Sequence, residues 1–210
     1  MDLALYESAL FDDGEAGEIS VEDFVNYTNN PINRNKKFEL INGRISLMAG
    51  NVTINHQIIA SCLIRAIGNY LEGKDCKVLY DFNLHLFRED LGKCENVYQP
   101  DVMINCDSGR IKKRAIVGVP EFVAEVVSES SAKYDYSDKC GNYVRYGVGE
   151  YWIVDLFANQ IQVHINGDSV IYKHTFDDEV KLRTFPELSI DFKKILKDKD
   201  LDRSDAKWLK

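Results

Sequence analysis

The feature that most constrains the fold is the apolar run EFVAEVVS at residues 121–128, which only Glu125 interrupts. A strand that is apolar on both faces is typical of the centre of a sheet whose two faces are covered. The stretch EYWIVD at residues 150–155 predicts a further strand. A buried, ionised carboxylate is costly unless a cation, a metal or a proton neutralises it. Glu125 is therefore the first candidate for a functional residue.

The rest of the chain alternates helical and strand patterns. Apolar residues at helical spacing predict a helix over residues 53–72, with Gly73 as its stop. The dipeptides Asn42-Gly43 and Asn166-Gly167 predict the turns of two β-hairpins. We also predict a helix from Val21 to about Tyr27, strands at 76–80, 82–87 and about 101–105, a helix over about 131–147, and a short C-terminal helix; residues 88–97 and 110–120 are assigned to loops. This order indicates an α/β (α+β) fold with a mixed central sheet flanked by helices and with additional hairpins.

Charge is distributed unevenly along the 210 residues. The net charge is −8, but residues 1–25 carry eight acids and no Lys or Arg, so 26 acids and 26 basic residues remain elsewhere. The neutral remainder can still present a local basic face to a nucleic acid. We expect an acidic N-terminal extension over residues 1–19, a single domain over 20–196, and a charged tail over 197–210.

The sequence also indicates the compartment of the protein and the redox state of its cysteines. No apolar run reaches the ~20 residues that a membrane-spanning helix needs, and the N-terminus has no basic region of a signal peptide. We therefore expect a cytoplasmic protein with no membrane partner. The five cysteines are odd in number and none has CxxC spacing, which predicts reduced, mostly buried thiols rather than a disulfide framework or a zinc site.

Two acids could share a metal ion. Asp101 follows Pro100 at the start of a predicted strand, and Glu125 lies within another. If these strands are neighbours, their carboxylates could hold Mg²⁺, which one or two carboxylates, waters and a substrate phosphate typically bind. Two alternatives stay open: Asp101 could simply follow a proline in a turn, and Glu125 could pair with a buried Arg or Lys.

Lys139 is the candidate cation. A helical wheel places it at the edge of an apolar face formed by Tyr136, Cys140, Tyr143 and Val144. Asp135 lies one turn before it and Tyr143 one turn after it. A lysine held against a sheet can have a lowered pKa and can position or deprotonate a water. Alternatively, Lys139 could extend to solvent or form an ordinary exposed ion pair with Asp135.

Taken together, these motifs resemble the Uma-type bacterial family of restriction endonucleases, within the PD-(D/E)xK nuclease superfamily. The resemblance rests on PDV at 100–102, EVVS at 125–128, the D-x-x-x-K-x-x-x-Y pattern at 135–143 and YGVGEYWIVD at 146–155. FELINGRI at 38–45 and His56-Gln57 are similar to its N-terminal half. The similarity spans roughly residues 36–195.

The resemblance implies a metal-dependent phosphodiesterase that uses Mg²⁺ or Mn²⁺ on nucleic acid, with DNA as the expected substrate. Asp101 and Glu125 match the metal-binding acids, the carbonyl of Val126 would face the metal, and Glu39 matches an acid contributed upstream. The E-x-K motif would place a lysine at position 127, where this chain has Val127. Lys139 matches the K of D-x-x-x-K and would orient a water or stabilise negative charge.

Further residues are assigned supporting roles. His56, Asp135 and Tyr143 are possible supporting residues of the site, although a lone helical histidine is more often structural. A basic cluster could contact substrate phosphates or could equally be a solvated loop; its members are Arg110, Lys112, Lys113 and Arg114.

Three function classes compete. The first is an active endonuclease. The second is a protein that keeps the nuclease fold without turnover and acts as a DNA-binding or regulatory module; the acidic N-terminus and Val127 favour it. The third, a metal or small-molecule binder unrelated to nucleic acid, has little support. We expect a homodimer, and this expectation rests on the family resemblance alone.

Overall fold

The computed structural model describes residues 18–48, 53–92 and 95–198. Most of the acidic N-terminal extension, most of the charged tail and Cys94 therefore lie outside the described residues. Within the described ranges, no helix is both long and apolar enough to cross a membrane.

The described residues form two large sheets, a short two-stranded sheet and helices, which confirms the predicted mixed α+β fold. The helices are α1 (Val21–Asn29), α2 (Ile54–Leu71), α3 (Ala132–Tyr134), α4 (Cys140–Tyr146) and α5 (Phe192–Asp198), with a π-helical turn at Asp135–Lys139 joining α3 to α4. The strands are β1 (Phe38–Ile41), β2 (Arg44–Leu47), β3 (Lys77–Leu79), β4 (Leu84–Leu86), β5 (Asn96–Tyr98), β6 (Val102–Asn105), β7 (Ile116–Gly118), β8 (Phe122–Val126), β9 (Glu150–Asp155), β10 (Gln160–Ile165), β11 (Tyr172–His174), β12 (Glu179–Lys181) and β13 (Ser189–Asp191).

The six-stranded sheet has the order β11-β10-β9-β8-β6-β3, so β8 lies near its centre as the apolar run predicts. β8 and β9 are parallel, and β8 and β6 are antiparallel. In the antiparallel register Val102 lies opposite Ala124, which places Asp101, just before β6, across from Glu125. The second sheet has the order β2-β1-β5-β4-β7, and Glu39 lies on its strand β1.

Both faces of the six-stranded sheet are covered. Helix α2 packs on one face, where Leu63 and Ile67 join Val102, Ala124 and Trp152 in one core. On the other face α4 and the five-stranded sheet pack against Met103, Val123, Tyr151 and Ile153, together with Tyr143. Because side chains alternate along a strand, Glu125 projects toward this second face, which α4 covers.

Local signals account for most element boundaries. The side chains of Ser20 and Thr53 accept the capping hydrogen bonds that open α1 and α2. The first hairpin turns at Asn42 and Gly43, which have positive φ values of 51° and 74°. The second hairpin, β10–β11, also forms, but six residues connect its strands rather than the predicted two-residue turn at Asn166-Gly167. Two segments that were predicted to be loops contain strand residues: β5 begins at the end of the segment 88–97, and β7 lies within 110–120.

The expectation of reduced thiols is wrong for one pair of cysteines. Cys76 and Cys106 form a disulfide with a Cα–Cα distance of 3.9 Å. They flank β3 and β6, whose antiparallel register pairs Lys77 with Asn105 and so places the two cysteines opposite each other. A search for local CxxC spacing cannot detect this cross-strand pair. Cys62 and Cys140 are free thiols, and Cys62 is buried.

Candidate active site

Asp101 and Glu125 meet at the ends of neighbouring strands. The backbone N–H of Asp101 donates to Glu125 Oε2 at 3.3 Å. Asp101 Oδ2 accepts the backbone N–H of Val126 at 2.8 Å and lies 3.1 Å from His56 Nε2. His56 is in the first turn of α2 and buried, so the sequence-predicted approach of this histidine to the site is seen. These contacts engage one oxygen of Asp101 and fix the orientation of its carboxylate.

Lys139 lies at the centre of the carboxylates. Its Nζ is 3.1 Å from Glu39 Oε1, 3.2 Å from Glu125 Oε1 and 3.6 Å from Asp135 Oδ1. Lys139 is only 2% exposed and Asp135 only 1% exposed. The two alternatives of an extended lysine and an exposed Asp135–Lys139 pair are therefore wrong, and Glu125 does pair with a buried lysine.

The charge state of Lys139 differs from the sequence prediction. Burial alone would lower the pKa of Lys139, but Glu125, Glu39 and other neighbouring carboxylates outweigh burial and hold that pKa well above its ordinary value. Burial raises the pKa of Glu125, with Lys139 opposing the shift. Burial also raises the pKa of Asp135, to about 6. Lys139 is thus a firmly charged ammonium, which suits it to stabilise negative charge rather than to accept a proton.

The π-helical turn explains why the helical wheel misplaced the apolar face. Asp135–Lys139 is wound with a wider turn than an α-helix, and π-turns are frequent at functional sites. Tyr136 and Val144, both predicted on the apolar face, are exposed, whereas Asp135 and Lys139 point inward and are buried. The Tyr151 hydroxyl donates to the Asp135 carbonyl at 3.0 Å and anchors the turn to β9.

One further side chain and one backbone group hold the acids in place. The Tyr143 hydroxyl donates to Glu125 Oε1 at 3.0 Å, so this buried aromatic also carries a polar contact of the site. The backbone N–H of Gln99 donates to Glu39 Oε1 at 2.9 Å, which fixes the acid from the second sheet. The structure therefore brings together Glu39, His56, Asp101, Glu125, Asp135, Lys139 and Tyr143.

All of these residues except Tyr143 line a cavity of about 200 Å³. Its charged walls carry five acids and two lysines: Glu39, Asp81, Asp101, Glu125, Asp135, Lys37 and Lys139. Three serines, Ser128, Ser130 and Ser131, contribute hydroxyls at the start of α3. The cavity therefore has an excess of negative charge, which favours a cation.

The donor chemistry fits a hard divalent cation. Glu39 Oε2 is buried and accepts no hydrogen bond, and neither oxygen of the Asp135 carboxylate accepts one. Within the described ranges, no three His, Cys, Asp or Glu side chains form a preformed metal cluster. A small number of carboxylates completed by waters is the usual arrangement for Mg²⁺. Asp101 beside Glu125, with the unbonded oxygens of Glu39 and Asp135 in the same cavity, offers such a set of carboxylates. A role for the Val126 carbonyl stays a prediction.

The predicted basic cluster lies elsewhere. Arg110 pairs with Glu121 at 2.8 Å, and Arg114 donates to Asn29 at 2.8 Å. Lys112 donates to the carbonyl of Gly109, and Lys113 is exposed. None of the four lines the cavity.

Sequence reasoning missed two groups of residues. Lys37 and Asp81 line the cavity and form an ion pair, with Lys37 Nζ 2.6 Å from Asp81 Oδ1. The two residues are 44 positions apart in the sequence. Asn142, buried on α4, donates from its Nδ2 to Tyr98 at 2.7 Å, Asn42 at 3.0 Å and Asn96 at 3.2 Å. This amide joins α4, beside Lys139, to the sheet that carries Glu39.

Comparisons with known proteins identify the family of the chain and a similar fold. The chain matches the Uma2 family model, described as "Putative restriction endonuclease", over residues 21–193. It is 28% identical over 154 residues to the uncharacterized protein slr1290 of Synechocystis sp., covering 71% of this chain and 78% of that protein. Its fold is similar to the crystal structure of a putative nuclease belonging to DUF820 from Anabaena variabilis, with a TM-score of 0.68 and 15% identity over 85% of this chain and 98% of that one. Because the family match spans well over half of the sequence, the chain belongs to the Uma2 family of putative restriction endonucleases.

Proposed function

We propose that this protein is a divalent-metal-dependent endonuclease that hydrolyses phosphodiester bonds in nucleic acid, with DNA as the first substrate to test. Family membership and the nuclease-like fold support nuclease function in general. The observation that carries the finer proposal is the grouping of Asp101 and Glu125 on adjacent strands with the Lys139 ammonium 3.2 Å from Glu125.

Each residue has a distinct part in the proposed reaction. Asp101 and Glu125 would hold Mg²⁺ or Mn²⁺, which lowers the pKa of a water and polarises a phosphate. His56 and the Val126 N–H engage Asp101 Oδ2, leaving the other oxygen of that carboxylate available to a cation. The Lys139 ammonium would stabilise the negative charge that develops on the phosphate. Tyr143 holds Glu125 in place.

A second candidate is a nuclease-fold protein that binds nucleic acid without cleaving it. The Lys139 ammonium is fully engaged by three carboxylates. Val127, at the position of the lysine in E-x-K, is buried in the apolar core. A protein of this class would bind DNA and metal but leave the backbone intact.

The test combines metal binding with cleavage. Calorimetric titration with Mg²⁺ and Mn²⁺ is paired with nicking of supercoiled DNA and cleavage of single-stranded RNA, for the wild type and Glu125→Ala. Glu129→Ala is the matched control, because Glu129 is an exposed acid four residues away and does not line the cavity. We expect Glu125→Ala to reduce nicking by at least ~100-fold and to weaken metal binding, and Glu129→Ala to change neither.

The outcomes separate the candidates. Metal binding with no cleavage of DNA or RNA by the wild type would favour the binding protein. Absence of metal binding by the wild type would overturn the assignment of Asp101 and Glu125.

A further inference from the structure

Among the described residues that line the cavity, Lys37 carries the accessible positive charge. Of the described residues that line the cavity, Lys37 and Lys139 are the two with positive side chains. Lys139 is buried among carboxylates, whereas the Lys37 side chain is 59% exposed. Lys37 lies directly before β1, the strand that carries Glu39. It is therefore the lysine that a large anionic substrate could reach from solvent.

Lys37 already forms an ion pair with the carboxylate of Asp81. The Lys37 Nζ is 2.6 Å from Asp81 Oδ1, and the Asp81 side chain is 53% exposed. Asp81 has a positive φ of 47°, a conformation that aspartate tolerates better than most residues. Its backbone N–H donates to the carbonyl of Pro100 at 3.1 Å, which ties this turn to the residue beside Asp101. The carboxylate of Asp81 is thus held at the entrance to the site.

We propose that Lys37 binds a backbone phosphate of the nucleic acid next to the scissile phosphate, and that Asp81 is a resident anion which this phosphate displaces. The inference rests on the proposed function. An exposed ion pair contributes little stability, so exchanging one anion for another on Lys37 costs little. A phosphate that replaces Asp81 gains a contact with the Lys37 ammonium, in a cavity whose other charged residues are mostly acidic and include Asp101.

The competing location for phosphate contacts is the predicted basic cluster. Arg110 and Arg114 are engaged by Glu121 and Asn29, and neither lines the cavity. Lys113 is exposed, carries the same charge as Lys37 and lies on that loop. Lys113→Gln therefore tests the competing location. Lys181→Gln, at an exposed lysine on β12 that does not line the cavity, is the matched control for Lys37→Gln, since each variant changes the net charge equally.

The experiment measures binding of a fluorescent DNA duplex by anisotropy, with Ca²⁺ replacing Mg²⁺, between 50 and 200 mM salt. One lost phosphate contact should reduce the slope of log affinity against log salt by about 0.9. We expect this reduction, with affinity about fivefold weaker near 100 mM salt, for Lys37→Gln and for neither Lys113→Gln nor the control Lys181→Gln. Lys37→Arg should retain the wild-type slope. Asp81→Asn should bind about two- to fivefold more tightly, because it releases Lys37.

Specific results would overturn the inference. Equal slopes for Lys37→Gln and the wild type, or weaker binding by Asp81→Asn, would exclude Lys37 as the phosphate contact even if the wild type binds and cleaves DNA. If the wild type binds neither the duplex, nor single-stranded DNA, nor RNA, the proposed function fails and the inference fails with it. Circular dichroism melting verifies that each variant is folded.

Discussion

Replacing Lys139 with methionine tests the charge balance of the site. Methionine keeps much of the length of the side chain but removes the ammonium that lies 3.1–3.6 Å from Glu39, Glu125 and Asp135. Removing one partner of a buried ion pair typically costs about 3–5 kcal/mol, because the other charges stay buried without compensation. For a chain of this size, each kcal/mol corresponds to about 2–4 °C in Tm. Lys139→Met should therefore melt about 6–20 °C below the wild type when no metal is bound.

Metal should partly reverse this loss. A divalent cation at 100 times its Kd adds about 2.7 kcal/mol to the free energy of unfolding of a protein that binds it. Without the ammonium the cavity has one more uncompensated negative charge, so we expect Lys139→Met to bind Mn²⁺ at least ~10-fold more tightly than the wild type. At the same Mn²⁺ concentration, its Tm should rise further than that of the wild type. Nicking should still be lost, because the positive charge near the phosphate is absent.

The assay is thermal unfolding by circular dichroism in EDTA and in increasing Mn²⁺, alongside calorimetric titration. Lys133→Met is the matched control, because Lys133 is exposed on α3 and its substitution should change stability by less than about 0.5 kcal/mol. The reasoning would be refuted if Lys139→Met and the wild type melt at the same temperature in EDTA. It would also be refuted if the variant binds Mn²⁺ more weakly than the wild type.

Three more predictions concern stability. Burial raises the pKa of Asp135 from 3.8 to about 6. The folded state therefore holds this proton more tightly than the unfolded state, and the free energy of unfolding falls as pH rises through this range. Asp135→Asn should remove a cost of up to about 3 kcal/mol at pH 7 but little of it below pH 4, which urea melts in EDTA at pH 7 and below pH 4 would measure. Reduction with dithiothreitol should lower the unfolding free energy of the wild type by about 2–4 kcal/mol and leave the double variant Cys76→Ser/Cys106→Ser unchanged. Asn142→Leu should cost about 1–3 kcal/mol in urea denaturation, because it leaves the buried Tyr98 hydroxyl without its donor.

The pairing of Asp101 with Glu125 could be predicted because local patterns determine it. The apolar run 121–128 indicates a buried strand, and Pro100 marks the start of another, so both acids belong to strand ends of one sheet. The charge state of Lys139 could not be predicted in this way. It depends on Glu39, which a different sheet contributes, and on a π-helical turn that an ideal wheel of ~100° per residue does not describe.

The contacts that were missed are those that only tertiary packing creates. Lys37 and Asp81 are 44 residues apart, Cys76 and Cys106 are 30 apart, and Asn142 donates to Asn42 across 100 residues. Neither member of each pair has a local pattern that specifies its partner. Strand register and the docking of the second sheet on α4 bring them together.

The position of the lysine follows from the same packing. Glu125 and Val127 are two residues apart and so project to the same face of the six-stranded sheet, where Val127 is buried against the core that includes Tyr143. A lysine at position 127 would place its stem within that apolar core. Because α4 and the π-helical turn pack on this face, Lys139 extends its ammonium from that turn to Glu125 while Val127 fills the core. The absence of the E-x-K lysine therefore does not leave the acidic pair without a cation; the adjoining helix supplies it.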